Sequence, residues 1–349
     1  MRPTDSVRPP RSRSAVTLKT IATEAGVHVS TVSRALRRAA QDGTNATPGD
    51  VRILEIAEAL GYVPNPNAAS LTTRRSHSFG VLVPQLTDAV LATVYDAVEE
   101  TANAAGYATF VANTRDDPVE QLRQVSLLLG RAVDGLIIGD ARLDNNNIEQ
   151  IASRGVDVVL VNRRSGAAVH STSDDILGGD IAGSHLINLG HRRLGVIGGP
   201  SWVSTTADRL SGFRAALSRH GIPFGDEAVR YEGFDVAAGR RGMESLLASG
   251  TPPTGVFVMN DEAAIGALGV LRDRGLTPGE DVSIIGFNDI PIARELFIPL
   301  TTVRISLRQM GVRAVESMLT LIHGLPTSSS AQPPELVVRA TTGPAPLSI

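Results

Sequence analysis

The sequence predicts a small all-α domain followed by a larger α/β body with doubly wound parallel sheets. Residues 1–75 carry five more basic than acidic side chains, whereas residues 76–349 carry eight more acidic than basic ones. From Phe79 onwards, short apolar runs alternate with amphipathic stretches, as in parallel sheets covered by helices on both faces. A body of about 270 residues exceeds what one such sheet usually needs, so we expect two lobes.

Composition excludes several classes of protein. The chain has 349 residues, no cysteine and a net charge of −3, so disulfide frameworks, Cys-ligated zinc and thiol catalysis are excluded. No apolar run approaches the roughly 18 residues of a membrane span. The basic N-terminus precedes no apolar stretch, so a secretory signal is not expected. We therefore expect a cytoplasmic protein without a membrane partner.

The basic head has the pattern of a helix-turn-helix. Residues 1–14 are rich in Pro, Arg and Ser and are expected to form a disordered basic tail. Thr17 is a good N-cap for a first helix, which Gly26 ends. A second helix is expected from near Ser30, and the amphipathic segment Val51 to Leu60 closes a three-helix core.

The second helix has an outward face that suits the major groove of DNA, where arginine contacts guanine and hydroxyls bond phosphates. The alternative is a solvated helix in a small bundle. The residues of this face are Val29, Ser30, Thr31, Ser33, Arg34, Arg37 and Arg38.

The run from Val16 to Leu36 and the run from Leu60 to Leu71 resemble the opening and the hinge of the lactose/galactose repressor family. The resemblance implies base contacts from Val29, Ser30 and Arg34 and phosphate contacts from Thr17, Thr31 and Ser33. It also implies a hinge over 63–76, with Leu71 wedged into the minor groove and Ala68 at a close-packing position. The stretch 37–47 is a few residues longer than usual in the family.

The body resembles the periplasmic-binding-protein type of fold that these repressors use. The resemblance rests on Ile176 to Arg193, Asn260 to Ala267 and Ile285 to Asp289, with further matching stretches between and after them. It implies three crossings between lobes, near 174, 304 and 334. The expected domains are 15–62 for the helix-turn-helix and 77–349 for the effector-binding and dimerisation domain, with lobe 1 over about 77–174 and 305–334 and lobe 2 over about 175–304 and 335–349.

The apolar pattern predicts the individual elements of the body. The expected strands are Phe79–Val83, Tyr107–Ala112, Gly135–Ile138, Val156–Val161, Arg193–Ile197, Gly255–Met259 and Val282–Phe287. The expected helices are 88–105, 118–130, 176–189, 207–220, 236–249 and 261–274.

Polar residues at strand ends are the candidates for a ligand site between the lobes. Arg209, Asn260 and Asp289 match effector-contacting positions of the family, and an Arg–Asp arrangement suits a ligand rich in hydroxyls. Arg209 and Asp289 could instead form a structural ion pair, and Asn260 could cap the following helix together with Asp261. Phe234 stands where an aromatic often stacks on a sugar, or belongs to the core.

Four further positions complete the predicted site. Asn162 and Asn288 stand where the family commonly has Asp, Asp88 opens a stretch that lacks the usual aromatics, and Trp202 is expected at the mouth of the cleft. The expected ligand is a sugar or sugar derivative, and its identity stays open.

These observations together predict a repressor whose affinity for operator DNA changes when a small metabolite binds. The resemblance implies a homodimer on a roughly palindromic operator, with Phe79–Val83 and the helix near 88–105 as candidates for the dimer face. A transport protein would need an export signal and no basic head. An enzyme is not expected, because the histidines lack metal-ligand spacing and Gly195–Gly199 is no dinucleotide fingerprint; no cofactor is expected either.

Overall fold

The computed structural model describes residues 16–41, 47–62 and 75–346. Its contacts divide the chain into two compact units with the boundary between Thr73 and Arg74, which we name the head unit and the body unit. The predicted tail over 1–14 and the predicted hinge contacts Ala68 and Leu71 lie outside the described residues.

The head unit has three helices, α1 (Leu18–Ala25), α2 (Val29–Gln41) and α3 (Pro48–Ala59). Thr17 caps α1 as predicted, in a reciprocal capping box with Thr20, and Gly26 ends the helix in the left-handed region at φ 68°. The helices enclose a core of small apolar residues, which lets them pack closely. This core consists of Ile21, Ala22, Ala25, Val32, Ala35, Ile53 and Ala57.

A buried carboxylate joins α2 to α3. Asp50 is 3% exposed and accepts hydrogen bonds from the Thr47 backbone and hydroxyl and from Arg38 at 2.9 Å. The hydrogen bonds from Thr47, followed by the charge of Arg38, lower the pKa of Asp50. Arg38, expected on the outward face of α2, therefore contributes to the packing of the head unit.

The first lobe of the body unit is a parallel sheet with the strand order β11-β5-β4-β3-β1-β2. Its strands are β1 (Ser78–Val83), β2 (Ala108–Asn113), β3 (Gly135–Ile138), β4 (Asp157–Val161), β5 (His170–Ser173) and β11 (Ser330–Gln332). Its helices are α4 (Ala89–Ala104), α5 (Pro118–Gly130), α6 (Asn147–Ala152) and α12 (Leu307–Ile322). Successive residues of its central strands enter two different apolar clusters, so helices cover both faces.

The second lobe repeats this plan with the strand order β12-β10-β9-β8-β6-β7, in which only β12 is antiparallel among the described strands. Its strands are β6 (Leu194–Gly198), β7 (Val229–Tyr231), β8 (Gly255–Val258), β9 (Ser283–Asn288), β10 (Thr301–Arg304) and β12 (Glu335–Val337). Its helices are α7 (Asp175–Asn188), α8 (Ser204–Arg219), α9 (Val236–Leu247), α10 (Asp261–Asp273) and α11 (Ile292–Glu295).

The chain passes between the lobes three times. It leaves the first sheet between β5 and α7, returns between β10 and α12, and leaves again between β11 and β12. Parallel strands within each lobe align their carboxyl ends on one edge of the sheet, where α/β folds place their ligands.

Glycines inside two helices of the second lobe allow α7 and α8 to pack backbone against backbone. A Cβ on Gly179 of α7 would lie 1.9 Å from the carbonyl oxygen of Arg209, and one on Gly212 of α8 would lie 1.8 Å from that of Ile176. A Cβ at either position would overlap the facing backbone, so only glycine fits there. Consequently α8 is held in one position against α7.

All seven predicted strands are present, with ends within one residue of those predicted, and the six predicted helices are present with ends within three residues. The sequence reading missed α12, although Leu307, Met310, Ala314 and Met318 are buried at helical spacing. Other short elements were not predicted either, namely α6, α11, β5, β7, β10, β11 and β12. Of these, β5 and β10 are rich in hydroxyl residues and lack an apolar run.

The suggestion that the strand Phe79–Val83 lies on a dimer face is wrong. This strand is β1, which pairs with β2 on one side and β3 on the other, and all of its residues are buried within the chain. Its continuous apolar run reflects burial on both faces of a parallel sheet.

Asp261 is a buried acid that ties α10 to two other segments of the second lobe. Its carboxylate accepts hydrogen bonds from the Thr302 hydroxyl at 2.6 Å and from the Ile290 backbone at 2.9 Å. Burial outweighs these bonds and raises the pKa of Asp261 to about 7.

We predict that Asp261 makes the protein less stable as the pH rises from about 4 to 7, because the folded chain keeps a proton that the unfolded chain has lost. Asp261→Asn should reduce the fall in the free energy of unfolding over this pH range by roughly 2–4 kcal/mol. Urea denaturation at several pH values measures it, with the exposed Glu99→Gln as the control. Parallel profiles for the wild type and Asp261→Asn would contradict the assignment.

Candidate functional site

The exposed face of α2 carries the predicted DNA-contacting side chains. Ser30 and Arg34 are exposed, and the Arg34 Nε donates to the Ser30 carbonyl oxygen at 3.3 Å. The Ser30 hydroxyl lies 2.8 Å from Nδ1 of His28, which precedes the helix. Thr31 and Ser33 are half-buried at the sides of this face. Two turns of α2 therefore present a cation and hydroxyls on one side.

Two of the predicted DNA contacts also have structural roles in the head unit. Val29 is half-buried and packs against the small apolar core. Thr17 is exposed, and its hydroxyl accepts from the Thr20 backbone at 3.3 Å as the cap of α1. A phosphate contact by Thr17 would thus use a residue that also fixes the start of the first helix.

A pocket lies between the two lobes of the body unit. The walls lie close together, and the cavity between them has a volume of about 30 Å³. The first lobe contributes Asp88, Val90, Leu91, Asn162 and Arg163, and the second contributes Thr205, Arg209, Phe234, Asn260 and Asn288. Six of the eight predicted effector residues are in this set. Trp202 and Asp289 are not.

Arg209 is a buried and fully engaged part of the second lobe's wall. Its Nε donates to the Asp175 carboxylate at 2.7 Å, its Nη1 donates to the Met259 carbonyl oxygen at 2.5 Å, and its guanidinium carbon lies 3.7 Å from the ring centroid of Phe287. Arg209 is 3% exposed. Its charge is therefore compensated inside the protein.

Asn260 serves as the helix cap that the sequence allowed. Its amide oxygen accepts from the Ala263 backbone at 2.9 Å, and its amide nitrogen donates to the Phe234 carbonyl oxygen at 2.6 Å. Phe234 is seated over Gly199, where a Cβ would come within 2.1 Å of the ring. Asn260 and Gly199 together place the Phe234 ring on the pocket wall.

Asn288 and Asp289 follow each other but point to different surroundings. Asn288 is 4% exposed, lines the pocket, and its amide oxygen has no hydrogen-bond partner among the described residues. Asp289 is paired with Arg339 at 2.7 Å and with Arg304 at 2.8 Å. Both residues have positive φ, 108° and 58°. A direct Arg209–Asp289 pair is not formed, because each residue has its own partner.

The first lobe's wall is made at the ends of β1 and β4. Asp88 caps α4 by accepting from the Val90 and Leu91 backbones, and burial raises its pKa. Asn162 directly follows β4 with φ 65°, and Arg163 donates to Asp116 at 2.5 and 3.2 Å. An acceptor and an amide thus face the pocket from this lobe.

Four pocket residues were not predicted from the sequence, namely Arg163, Thr205, Val90 and Leu91. Arg163 was detectable in principle, since it follows Asn162 at the end of a predicted strand. Thr205 was not, because the helix that carries it begins at Ser204, three residues before the predicted start. Trp202 instead lies against the other lobe, with its ring centroid 3.5 Å from the Arg142 guanidinium carbon.

The pocket offers hydrogen-bond donors and acceptors on an apolar and aromatic floor, which is the composition of a site that binds a small polar molecule. Within the described ranges, no group of three or more acidic or histidine side chains is placed to hold a metal ion. No helix of the described residues is long and apolar enough to cross a membrane. A helical head with a basic face and a two-lobed body with a pocket define the class of DNA-binding regulators with a ligand cleft.

Comparisons with known proteins agree with this class. The family profile described as bacterial regulatory proteins, lacI family, matches residues 17–65, and that of a periplasmic binding protein-like domain matches residues 184–342. The HTH-type transcriptional regulator GalR of Salmonella typhimurium strain LT2 is 31% identical over 315 residues, covering 89% of this chain and 91% of GalR.

Two solved structures are similar over nearly the whole chain. A crystal structure of the Lac repressor dimer bound to operator and the anti-inducer ONPF matches with a TM-score of 0.85 at 26% identity, covering 95% of this chain and all of that chain. The complex of the transcriptional regulator CelR with cellobiose matches with a TM-score of 0.71 at 27% identity, covering 93% and 99%. The chain belongs to the lacI family of bacterial regulatory proteins and is a transcriptional regulator.

We predict that Arg209→Met destabilises the protein by about 3–5 kcal/mol, because it leaves the Asp175 carboxylate buried without its cation. Arg209→Met combined with Asp175→Asn should recover most of this loss. Urea denaturation at neutral pH measures both. The exposed pair of Arg294 with Glu295 supplies the control Arg294→Met, expected to cost less than about 1 kcal/mol. A loss in Arg209→Met no larger than in the control would disprove the prediction.

Proposed function

We propose that this chain is a repressor that binds operator DNA through α2 and releases or retains it according to a small metabolite in the cleft. The observation that carries the proposal is the pocket, whose walls come from both lobes of a lacI-family chain. A ligand that contacts both walls binds best to one arrangement of the lobes and thereby changes the affinity for DNA. This coupling is reciprocal: DNA changes the affinity for the ligand by the same free energy.

The DNA contacts proposed for the head unit are those of the exposed face of α2, namely Ser30, Thr31, Ser33 and Arg34, with Val29 and Thr17 at its edges. Arginine in the major groove makes two hydrogen bonds to guanine. We also propose that the hinge over 63–76 supplies Ala68 and Leu71 to the minor groove, as in the family that the sequence resembles.

A sugar or sugar derivative is the ligand that the pocket chemistry favours. Asn288 offers an unpartnered amide oxygen and Asp88 offers a half-buried carboxylate, and both accept hydrogen bonds from hydroxyl groups. The Phe234 ring provides an apolar face of the kind on which the C–H side of a sugar packs. Arg163 and Arg209 are already paired with carboxylates, so the pocket has no strong preference for an anion.

We propose a homodimer that acts in the cytoplasm, where bacterial operator DNA lies. The structure of the Lac repressor dimer on its operator supports the dimer. The second lobe also presents Phe297, which is fully exposed, and Ile292, which is 49% exposed. A second copy of the chain would remove these apolar side chains from water.

Arg34→Ala is expected to weaken specific DNA binding by about 5- to 150-fold and to reduce its salt dependence. Fluorescence anisotropy with a DNA fragment from upstream of the chain's own gene, with poly-dIdC as competitor, measures both. Arg274→Ala, an exposed arginine of the body unit, is the control and should leave binding unchanged. Unaltered affinity and salt dependence in Arg34→Ala would exclude this recognition face.

A thermal-shift panel of mono- and disaccharides should contain compounds that raise the melting temperature. Asp88→Asn should weaken the best of them about 10-fold or more, because hydrogen bonds to a charged acceptor are the stronger ones. Asp117→Asn is the matched control: Asp117 caps α5 in the same lobe and is outside the pocket. A panel without hits, or equal effects of the two substitutions, would count against the proposed ligand class.

A further inference from the structure

Apart from the pocket, the two lobes contact each other through a charged side chain that the proposed function does not use. Arg164 follows β4 in the first lobe, and Asp208 is in the second turn of α8 in the second lobe. The Arg164 Nε and Nη2 donate to the two carboxylate oxygens of Asp208 at 2.8 and 2.5 Å. The Arg164 backbone also donates to the Ser204 hydroxyl at 2.9 Å. This is a bidentate pair with fixed geometry.

A second contact lies on the same segment of the second lobe. The Leu143 backbone donates to the Trp202 carbonyl oxygen at 3.0 Å, and the Arg142 guanidinium lies over the Trp202 ring at 3.5 Å. Asp144 pairs with Arg142 and fixes its direction. Cation–π contacts of this kind attract a guanidinium to an aromatic face. Arg142 and Arg164 thus hold the start of α8 from the first lobe.

The residues that make these contacts alternate with the residues that line the pocket. Arg164 follows the pocket residue Arg163, and Asp208 precedes the pocket residue Arg209. Ser204 precedes the pocket residue Thr205. Any separation of Arg164 from Asp208 therefore moves the two pocket walls apart.

Elsewhere in the pocket region, like charges face each other across the lobes. Glu262 of the second lobe accepts a long hydrogen bond of 3.4 Å from the backbone of Ala89, the residue that follows Asp88 of the first lobe. Burial, and then the charge of Asp88, raise the pKa of Glu262. Two carboxylates at this place repel, whereas the Arg164 side of the cleft joins the lobes by an attractive pair.

We propose that Arg164 and Asp208 form an inter-lobe clamp that holds the two walls of the ligand pocket together. They are positioning residues, since neither lines the pocket. The clamp deepens the proposed function, on which the role of the ligand rests, because it names a contact that sets the apparent affinity for the ligand. A ligand that needs closed lobes binds in proportion to the fraction of molecules whose lobes are closed.

The clamp can be tested without knowing the ligand, because Trp202 is the chain's only tryptophan and lies at this contact. Acrylamide quenching of its fluorescence in the full chain reports how far Trp202 is shielded. Arg164→Gln and Asp208→Asn should each increase quenching, with the ratio of closed to open lobes falling about two- to five-fold, the range of partly exposed ion pairs. The reversed pair, Arg164→Asp with Asp208→Arg, should restore shielding.

The matched control is Arg123→Gln, which breaks the pair of Arg123 with Glu120 inside one helix of the first lobe and should leave quenching unchanged. Circular dichroism and the melting temperature show whether each variant is folded. If the variants do not fold, the salt response of the wild type decides: raising NaCl from about 0.05 to 1 M should increase quenching, because Arg164 is 42% exposed and the clamp is screened.

Unchanged quenching in folded Arg164→Gln and Asp208→Asn would overturn the clamp, as would a reversed pair that restores nothing or a wild type without a salt response. These outcomes are separate from the fate of the proposed ligand class. If no sugar of the panel binds but the clamp variants respond as expected, the proposed ligand class is contradicted and the clamp is supported.

Discussion

The buried guanidinium of Arg209 is the interaction on which the architecture of the cleft depends. It joins Asp175 at the first crossing between the lobes, the Met259 carbonyl at the end of β8, and the ring of Phe287 in β9. A planar cation with five donors can satisfy partners in three directions at once. Since an unpaired charge in this place would be costly, the three elements and α8 have to assemble together.

Because charged groups of the pocket pair within the protein, they are not available as charges for a ligand. Arg209, Arg163 and Asp289 are neutralised by partners within the protein, and Asn260 has both ends of its amide occupied. Among the described pocket residues, Asn288 has a buried amide oxygen without a hydrogen-bond partner. Recognition in this pocket therefore rests on directed hydrogen bonds and an aromatic surface, and less on net charge.

Sequence reasoning located most of the pocket wall because ligand residues of α/β folds lie where strands end, and strand ends are visible in the apolar pattern. Arg209 and Asn260 were predicted beside strand ends and at matching family positions, whereas Asn162 and Asn288 were predicted from the family resemblance alone. Asp289 was placed beside Arg209 on the same grounds, but its φ of 58° turns it towards Arg304 and Arg339. Arg339 is 50 residues away in the chain, so no local pattern could have shown the contact.

The sequence by itself determined the kinds of element and their order, because helix caps, apolar periodicity and the charge difference between head and body are local properties of the chain. Thr17, Gly26 and the apolar run of β3 are examples. Only the tertiary structure decided which charges meet, such as Arg38 with Asp50 and Arg164 with Asp208. An ion pair forms only between side chains that are close in space. The sequence contains many carboxylates that could pair with a given arginine, and the fold decides which of them lies near it.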